Sequence, residues 1–344
     1  MTNPGPNKSV TYKDIAKQCG VSMMTVSRVL RNTGHVKAST RQKVLEAAKL
    51  LGYRPNPLVQ TLMSSVRRGH TDRQANLAWI ATYPLHDPHS PYMTVLEKAA
   101  RGRADRLGFG LEPLSLHDAD YSPQRLARIL RARNVAGIIV APLRRPGEDL
   151  PLPWDDFPAA TIGRSLVRPR IHYTMTHFQH IMEQVLHQLS SRGYHRIAYF
   201  EDSLMSQRQD FSAVMFYEHF QMNQPARNRL PVVSSDGWST EKIMAWIEKK
   251  KPDAIISGSP RVYDILHDSG VDIPGDLGFA TLSWRPNRPD CSGVRHPFEE
   301  LGMGAVDIVV AQIHRNEWGL PPHTKAMLFE GEWVEGSTLR RQEV

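Results

Sequence analysis

The sequence predicts a small all-α head at the N terminus joined to a larger α/β body, and three observations point there. Apolar residues recur at helical spacing between Thr11 and Gly52, with glycines at positions 20 and 52. Beyond residue 75, short apolar runs alternate with helical stretches. Charge divides along the same line: residues 1–74 hold 13 Lys and Arg against 3 Asp and Glu, whereas the other 270 residues are slightly acidic overall. The 344 residues leave room for two or three folded units at about 100 to 200 residues each.

Thr11 is placed to cap a first helix whose inward residues are Ile15, Ala16 and Cys19. Gly20 can take the left-handed conformation of a tight turn, Val21 packs inward, and Ser22 caps a second helix carrying Val26, Val29 and Leu30. Ala16 is small enough to let the two helices cross closely. A third helix is expected after Ser39 or Thr40, with Val44, Leu45, Ala48 and Leu51 inward and Gly52 at its end. This is a helix-turn-helix pattern. The outward residues of its second helix are Ser22, Met23, Met24, Thr25, Ser27 and Arg28, and its N-terminal residues would enter the major groove of double-stranded DNA. Arg28 can pair with guanine or a phosphate, and the methionines offer apolar contact such as to thymine methyls. The hydroxyls of Ser22, Thr25 and Ser27 suit either capping or phosphate contact. The basic charge of the segment fits the same partner.

The run VTYKDIAKQCGVSMMTVSRVLRNTGHVKASTRQKVLEAAKLLGYRPNPLVQTL resembles the DNA-binding head of the lactose repressor (LacI/GalR) family. The resemblance implies that Met23, Met24 and Arg28 read bases, and that Ser22, Thr25, Ser27, Asn32, His35 and Tyr53 lie near phosphates. Thr11 and Asn56 complete the DNA-binding set. Polar residues are more usual at the first base-reading position, so the methionine pair leaves the operator sequence open. Pro55 and Pro57 stop the preceding helix, and a short helix can follow from Asn56 or Pro57 that is too short to be stable alone. By resemblance this hinge folds on the operator, pairs with its twin in a homodimer and wedges Leu62 into the minor groove; the unstacking costs roughly a few kcal/mol. The plain alternative is an ordinary linker in which Leu62 packs against Leu58. The domain plan is therefore a head at 1–54, hinge and linker at 55–74, and body at 75–344.

In the body, the strand candidates are NLAWIATY, FGLEPLSL, VAGIIVAPL, PAATIG, RIAYFED, DAIISG, LGFATL and AMLFEGEWV, an alternation that argues for parallel sheets covered by helices on both faces. The resemblance implies two α/β lobes of periplasmic-binding-protein type. One would span about 75–175 and 291–319, the other about 176–290 and 320–344, with crossings near Met175, Cys291 and Gly319. A small effector, a sugar or sugar derivative, would sit between the lobes at the carboxyl ends of the strands. Candidate contacts are Trp238 in DGWS, His296 and Phe298 in VRHPFEELG, Arg208 in SQRQDF and Tyr83 in TYPLHDPHSPY. An aromatic face suits a sugar ring, and arginine supplies fixed donors. The ordinary alternatives are core for Trp238, a surface ion pair for Arg208 and a helix cap for His296. Strand-end aspartates that family sugar binders often use are missing: Gly163 and Arg164, Gly258 and Ser259, and Ser283 and Trp284 stand there instead. Arg164 and Ser283 join the effector set, and the shift toward arginine suggests an anionic or modified sugar.

Enzyme signatures are missing: the chain contains no GxGxxG, phosphate loop, GxSxG or HExxH. No cofactor is expected. The 15 histidines, among them His172, His177, His180 and His187, lack metal-ligand spacing, and Cys19 and Cys291 are far apart. No run of about 18 apolar residues and no leader pattern occur, so no membrane partner and a cytoplasmic location are expected. A recombinase would need an acidic metal cluster that the sequence does not offer. An architectural DNA binder with an unresponsive body is the remaining alternative.

Overall fold

The structure is a computed structural model that describes residues 10–30, 36–53, 75–84, 91–116, 122–234 and 236–342. It divides into a head and a body.

The head is three helices, α1 (Tyr12–Cys19), α2 (Met23–Leu30) and α3 (Ala38–Leu50). The Asp14 carboxylate accepts hydrogen bonds from the Thr11 N–H at 2.8 Å and the Thr11 hydroxyl at 2.7 Å, fixing the start of α1. Gly20 ends that helix at φ 66°, which brings the Val21 N–H to the Ala16 carbonyl at 3.1 Å. Ile15, Ala16, Cys19, Val26, Val29, Val44, Ala47 and Ala48 form the shared core. The expectation for Leu45 is corrected: it is 49% exposed, and Ala47 turns inward in its place. Helix α3 starts at Ala38, before the expected cap, and its inner stripe runs Val44, Ala47, Ala48, Leu51 at the i, i+3, i+4, i+7 spacing.

The described residues of the body form two six-stranded sheets. In the first, the order is β11 (Ala326–Phe329), β5 (His172–Thr176), β4 (Ala159–Ile162), β3 (Val135–Val140), β1 (Ala75–Ala81) and β2 (Phe109–Ser115). In the second, it is β12 (Glu332–Val334), β10 (Ser292–Arg295), β9 (Gly278–Thr281), β8 (Ala254–Ser257), β6 (Ile197–Glu201) and β7 (Val232–Ser234). Strand β12 runs antiparallel to β10, whereas β10, β9, β8, β6 and β7 pair in parallel. The helices connecting strands are α4 (Pro91–Arg106), α5 (Pro123–Ala132), α6 (Phe178–Ser191), α7 (Ser203–Arg208), α8 (Ser212–Met222), α9 (Thr240–Lys250), α10 (Pro260–Asp268) and α11 (Phe298–Arg315). Central strands such as β3 and β8 are buried along their whole length, as expected of parallel strands covered on both faces.

The chain passes between the lobes three times, and two passages differ from expectation. The first follows Thr176, close to Met175. The second lies at His296 and Pro297, because Cys291 precedes a strand that pairs Ser292 with Ala280 in the second sheet. The third lies at Glu330 and Gly331 rather than near Gly319. The single apolar run AMLFEGEWV is two strands: Ala326–Phe329 pairs with β5 of the first sheet, and Glu332–Val334 pairs with β10 of the second. A Cβ on Gly331 would stand 2.4 Å from Val294 Cγ1 and 3.0 Å from the Arg295 carbonyl oxygen, so only glycine fits where the chain changes sheets.

Candidate functional site

On the head, α2 presents its N-terminal end to solvent. Ser22 Oγ accepts from the Thr25 N–H at 3.1 Å and lies 3.0 Å from the Thr25 hydroxyl, so it serves as the helix cap. Met23 and Met24 are 56% and 65% exposed, outside the core, and Arg28 is exposed on the same helix. Thr25 and Ser27 are half-buried. Thr11 caps α1 through Asp14, and the Tyr53 ring lies 5.5 Å from that of Tyr12. Asn32, His35, Asn56 and Leu62, with the whole hinge, lie outside the described residues.

In the body, His296 sits on the second crossing and is buried. Its Nε2 lies 2.8 Å from the Leu282 carbonyl oxygen, which can only accept, so Nε2 carries the proton. Its Nδ1 therefore accepts from the Thr176 hydroxyl at 3.3 Å. Burial holds the imidazole pKa down at about 4; the hydrogen bond to Leu282 opposes this and the Arg285 charge adds to it. The ring stacks on Phe298 at 5.4 Å and 11°, Phe298 stacks on Tyr92 of α4 at 5.3 Å, and Phe178 of α6 tilts against His296 at 5.5 Å. Four rings thus run from a helix of the first lobe to a helix of the second.

A second set of contacts links the lobes beside the strand ends. Arg164, after β4, places Nη2 3.6 Å from the Asp210 carboxylate and its guanidinium 5.0 Å from the Tyr173 ring centre. Arg208, at the end of α7, donates to the Arg144 carbonyl. The Nε of each arginine is buried without a hydrogen-bond partner, as is the indole N–H of Trp284 after β9.

The remaining candidates are engaged elsewhere. Tyr83 is buried and its hydroxyl contacts Met93 Sδ at 3.0 Å, inside the first lobe. Trp238 packs on the core that includes Leu230, Val233 and Ile243, and the Lys242 ammonium lies 4.2 Å from its ring centre. Ser283 is half-buried; its N–H donates to Thr281 Oγ1 at 3.1 Å, and it lines a small pocket with Ser259, Tyr263, Arg288 and Cys291. Thr176, Tyr92, Phe178 and Asp210 take part in these inter-lobe contacts, although no sequence motif singles them out. Among the described residues, no group of three or more His, Cys, Asp or Glu could hold a metal ion. No described helix is long and apolar enough to cross a membrane.

Comparison with known proteins covers the head and the whole fold differently. The family described as "Bacterial regulatory proteins, lacI family" matches residues 11–56. The HTH-type transcriptional regulator DegA of Bacillus subtilis (strain 168) is 34% identical over 134 residues, which are 38% of this chain and only 36% of that relative. Solved structures match over nearly all of the chain. One is the transcriptional regulator CelR-cellobiose complex, with TM-score 0.57 and 19% identity, covering 96% of this chain and 99% of the other. Another is the lac repressor dimer bound to operator and the anti-inducer ONPF, with TM-score 0.54 and 20% identity, covering 96% and 99%. At these identities the structural likeness is one of fold: a helix-turn-helix head and a two-lobed, periplasmic-binding-protein-like α/β body. The family match lies across α1, the Gly20 turn, α2 and α3, so the likeness to the lacI family is carried by the head.

Proposed function

We propose that the protein is a sequence-specific DNA-binding transcriptional repressor that acts as a homodimer and whose operator affinity is set by a small effector, a sugar or sugar derivative, held between the lobes. The observation that carries the first part is the exposed N-terminal end of α2. Two solvated methionines are costly to display on a helix that buries Val26 and Val29, unless a partner surface covers them. A major groove lined by thymine methyls is such a surface, and Arg28 supplies the polar reading beside it. The similar lac repressor structure is a dimer on its operator, and the similar CelR structure holds cellobiose. Two-fold symmetry of the protein then calls for a pseudo-palindromic site.

Effector control would work through the crossings. His296 touches both lobes through Thr176 and Leu282, and Phe298 and Arg208 lie on the same boundary. A ligand that favours one lobe arrangement shifts the population of DNA-competent dimers. Residues 55–74, with Asn56 and Leu62, would transmit that shift to the duplex.

Selection of the full chain against a random duplex library tests the reading. An inverted repeat should be enriched, and binding should weaken steeply with salt as phosphate contacts are screened. Recovery of unselected sequence, with equal affinity for all duplexes, would refute it. Removal of residues 1–74 should abolish DNA binding and leave a folded dimer; a monomeric body would contradict the domain plan.

A further inference from the structure

We infer that the effector carries an anionic group, a carboxylate or a phosphate, gripped by Arg164 together with Arg208. The inference rests on the reading of the inter-lobe cleft as an effector site and names the chemistry that site accepts.

Both arginines lie on the boundary between the lobes and are linked through neighbouring segments. Asp210, two residues beyond Arg208, faces Arg164. Ser165, next to Arg164, receives the Leu143 N–H at 2.8 Å, and the following residue, Arg144, offers its carbonyl to Arg208. Each guanidinium is only partly used. A carboxylate or phosphate engages arginine most strongly when two parallel N–H groups meet two oxygens. In Arg164 the Nη2 faces Asp210 at 3.6 Å, longer than a hydrogen bond, while the buried Nε has no acceptor. In Arg208 the Nη2 is spent on a carbonyl and the buried Nε again has no acceptor. A buried donor left unpaired costs stability, so two of them on the boundary between the lobes mark where acceptors belong. The Trp284 N–H, after β9 of the second lobe, is a further buried donor without a partner.

Asp210 is a poor permanent partner. Its side chain is 64% exposed, and it and Phe211 both lie at positive φ, 55° and 57°, conformations that side chains other than glycine adopt at a cost. The Tyr173 ring under Arg164 orients the guanidinium without neutralising it. The carboxylates beside α7 are engaged nearby, Asp202 by the Met205 N–H, Asp236 by the Ser203 N–H and Glu201 by the Ser206 hydroxyl. An incoming anion therefore replaces a strained, solvated internal carboxylate and satisfies the vacant Nε groups as it does so.

Thermal unfolding of the full chain with D-gluconate, D-glucuronate, D-glucose 6-phosphate or neutral D-glucose, at matched ionic strength, tests this. At least one acidic probe should raise Tm by several degrees through mass action, and D-glucose should not. Gluconate and glucuronate against the phosphate ester separate the two anion sources. Arg164→Gln should weaken binding of the effective acid about tenfold or more, with Arg164→Lys in between, since a charge-assisted bond is lost or made monodentate. Asp210→Asn should tighten it about threefold or more by removing the internal competitor. This gain of affinity cannot come from a misfolded variant. If D-glucose stabilises the wild type and Arg164→Gln alike, the cleft binds an effector and the anion assignment falls. If neither acids nor D-glucose shift Tm, both the assignment and the effector reading are overturned.

Discussion

The Thr176 hydroxyl donates to His296 Nδ1 across the boundary between the lobes, 3.3 Å apart and buried. Thr176 closes the last residue of β5 in the first sheet, and His296 follows β10 in the second. With Nε2–H on the Leu282 carbonyl, the neutral imidazole satisfies one group from each lobe.

That arrangement predicts a pH dependence of stability. The native imidazole stays neutral down to a pKa of about 4, while in the unfolded chain it titrates near its ordinary value of 6.5. Between those values the unfolded state binds the extra proton, so its contribution is complete above about pH 6.5 and is lost as pH falls toward 4. The full difference is on the order of 3 kcal/mol. Urea midpoints at pH 7 and pH 4.5 should differ accordingly, and His296→Gln should flatten the difference. An unchanged slope in the variant would show that other groups control it.

Packing of α11 against α4 gives a second prediction. A Cβ on Gly302 would stand 2.3 Å from the Leu96 carbonyl oxygen and 3.3 Å from the Ala100 nitrogen. Gly302→Ala should cost about 2 kcal/mol, or ~5 °C in Tm, because backbone must move. Gly102, inside α4 with open space at the Cβ position, is the contrasting site: Gly102→Ala should stabilise by roughly 0.5–1 kcal/mol. Calorimetry on the pair separates crowding from helix propensity.

For the head, Arg28→Ala should weaken operator binding by about 1–3 kcal/mol and relax preference at one base pair, with no change in Tm. Met24→Ala, which removes solvated apolar surface, should also leave Tm unchanged while altering preference where a thymine methyl is contacted. Fluorescence anisotropy on single-base operator variants reads both. Loss of Tm instead would mean that these side chains belong to the fold.

Asp14→Ala should lower the stability of the head by about 1 kcal/mol, since the carboxylate holds both the Thr11 N–H and its hydroxyl. Amide exchange across α1 in the full chain should speed up accordingly, with α4 unaffected.

The head was legible because its determinants are local. Thr11, Gly20 and Ser22 do in the structure what their residue types favour, and the apolar spacing of α1 and α2 places the core. Leu45 was misread because it borders Val44 at the margin of the apolar stripe of α3, where spacing alone does not say whether it or Ala47 turns inward. In the body, the long buried strands stood out as apolar runs. Strands β5, β7 and β10 are short and mix polar with apolar residues, so nothing in their spacing separates them from loops. Tyr83 and Trp238 show the same limit for sites: an aromatic residue near a strand end can turn into the core or toward a ligand, and its type does not say which.

By itself the sequence determined the three-helix head, the alternating α/β body and the head's likeness to the lacI family, because capping, turn chemistry and apolar periodicity act over a few residues. Only the tertiary structure decided where the chain crosses between sheets, that AMLFEGEWV supplies a strand to each, that His296 binds Thr176 and Leu282, and that Arg164 faces Asp210. Those outcomes depend on which hydrogen-bonding edge a strand meets and which buried group lacks a partner. Such matches join residues up to 150 or so positions apart, as Ala326 joins Tyr173, and no local spacing encodes them.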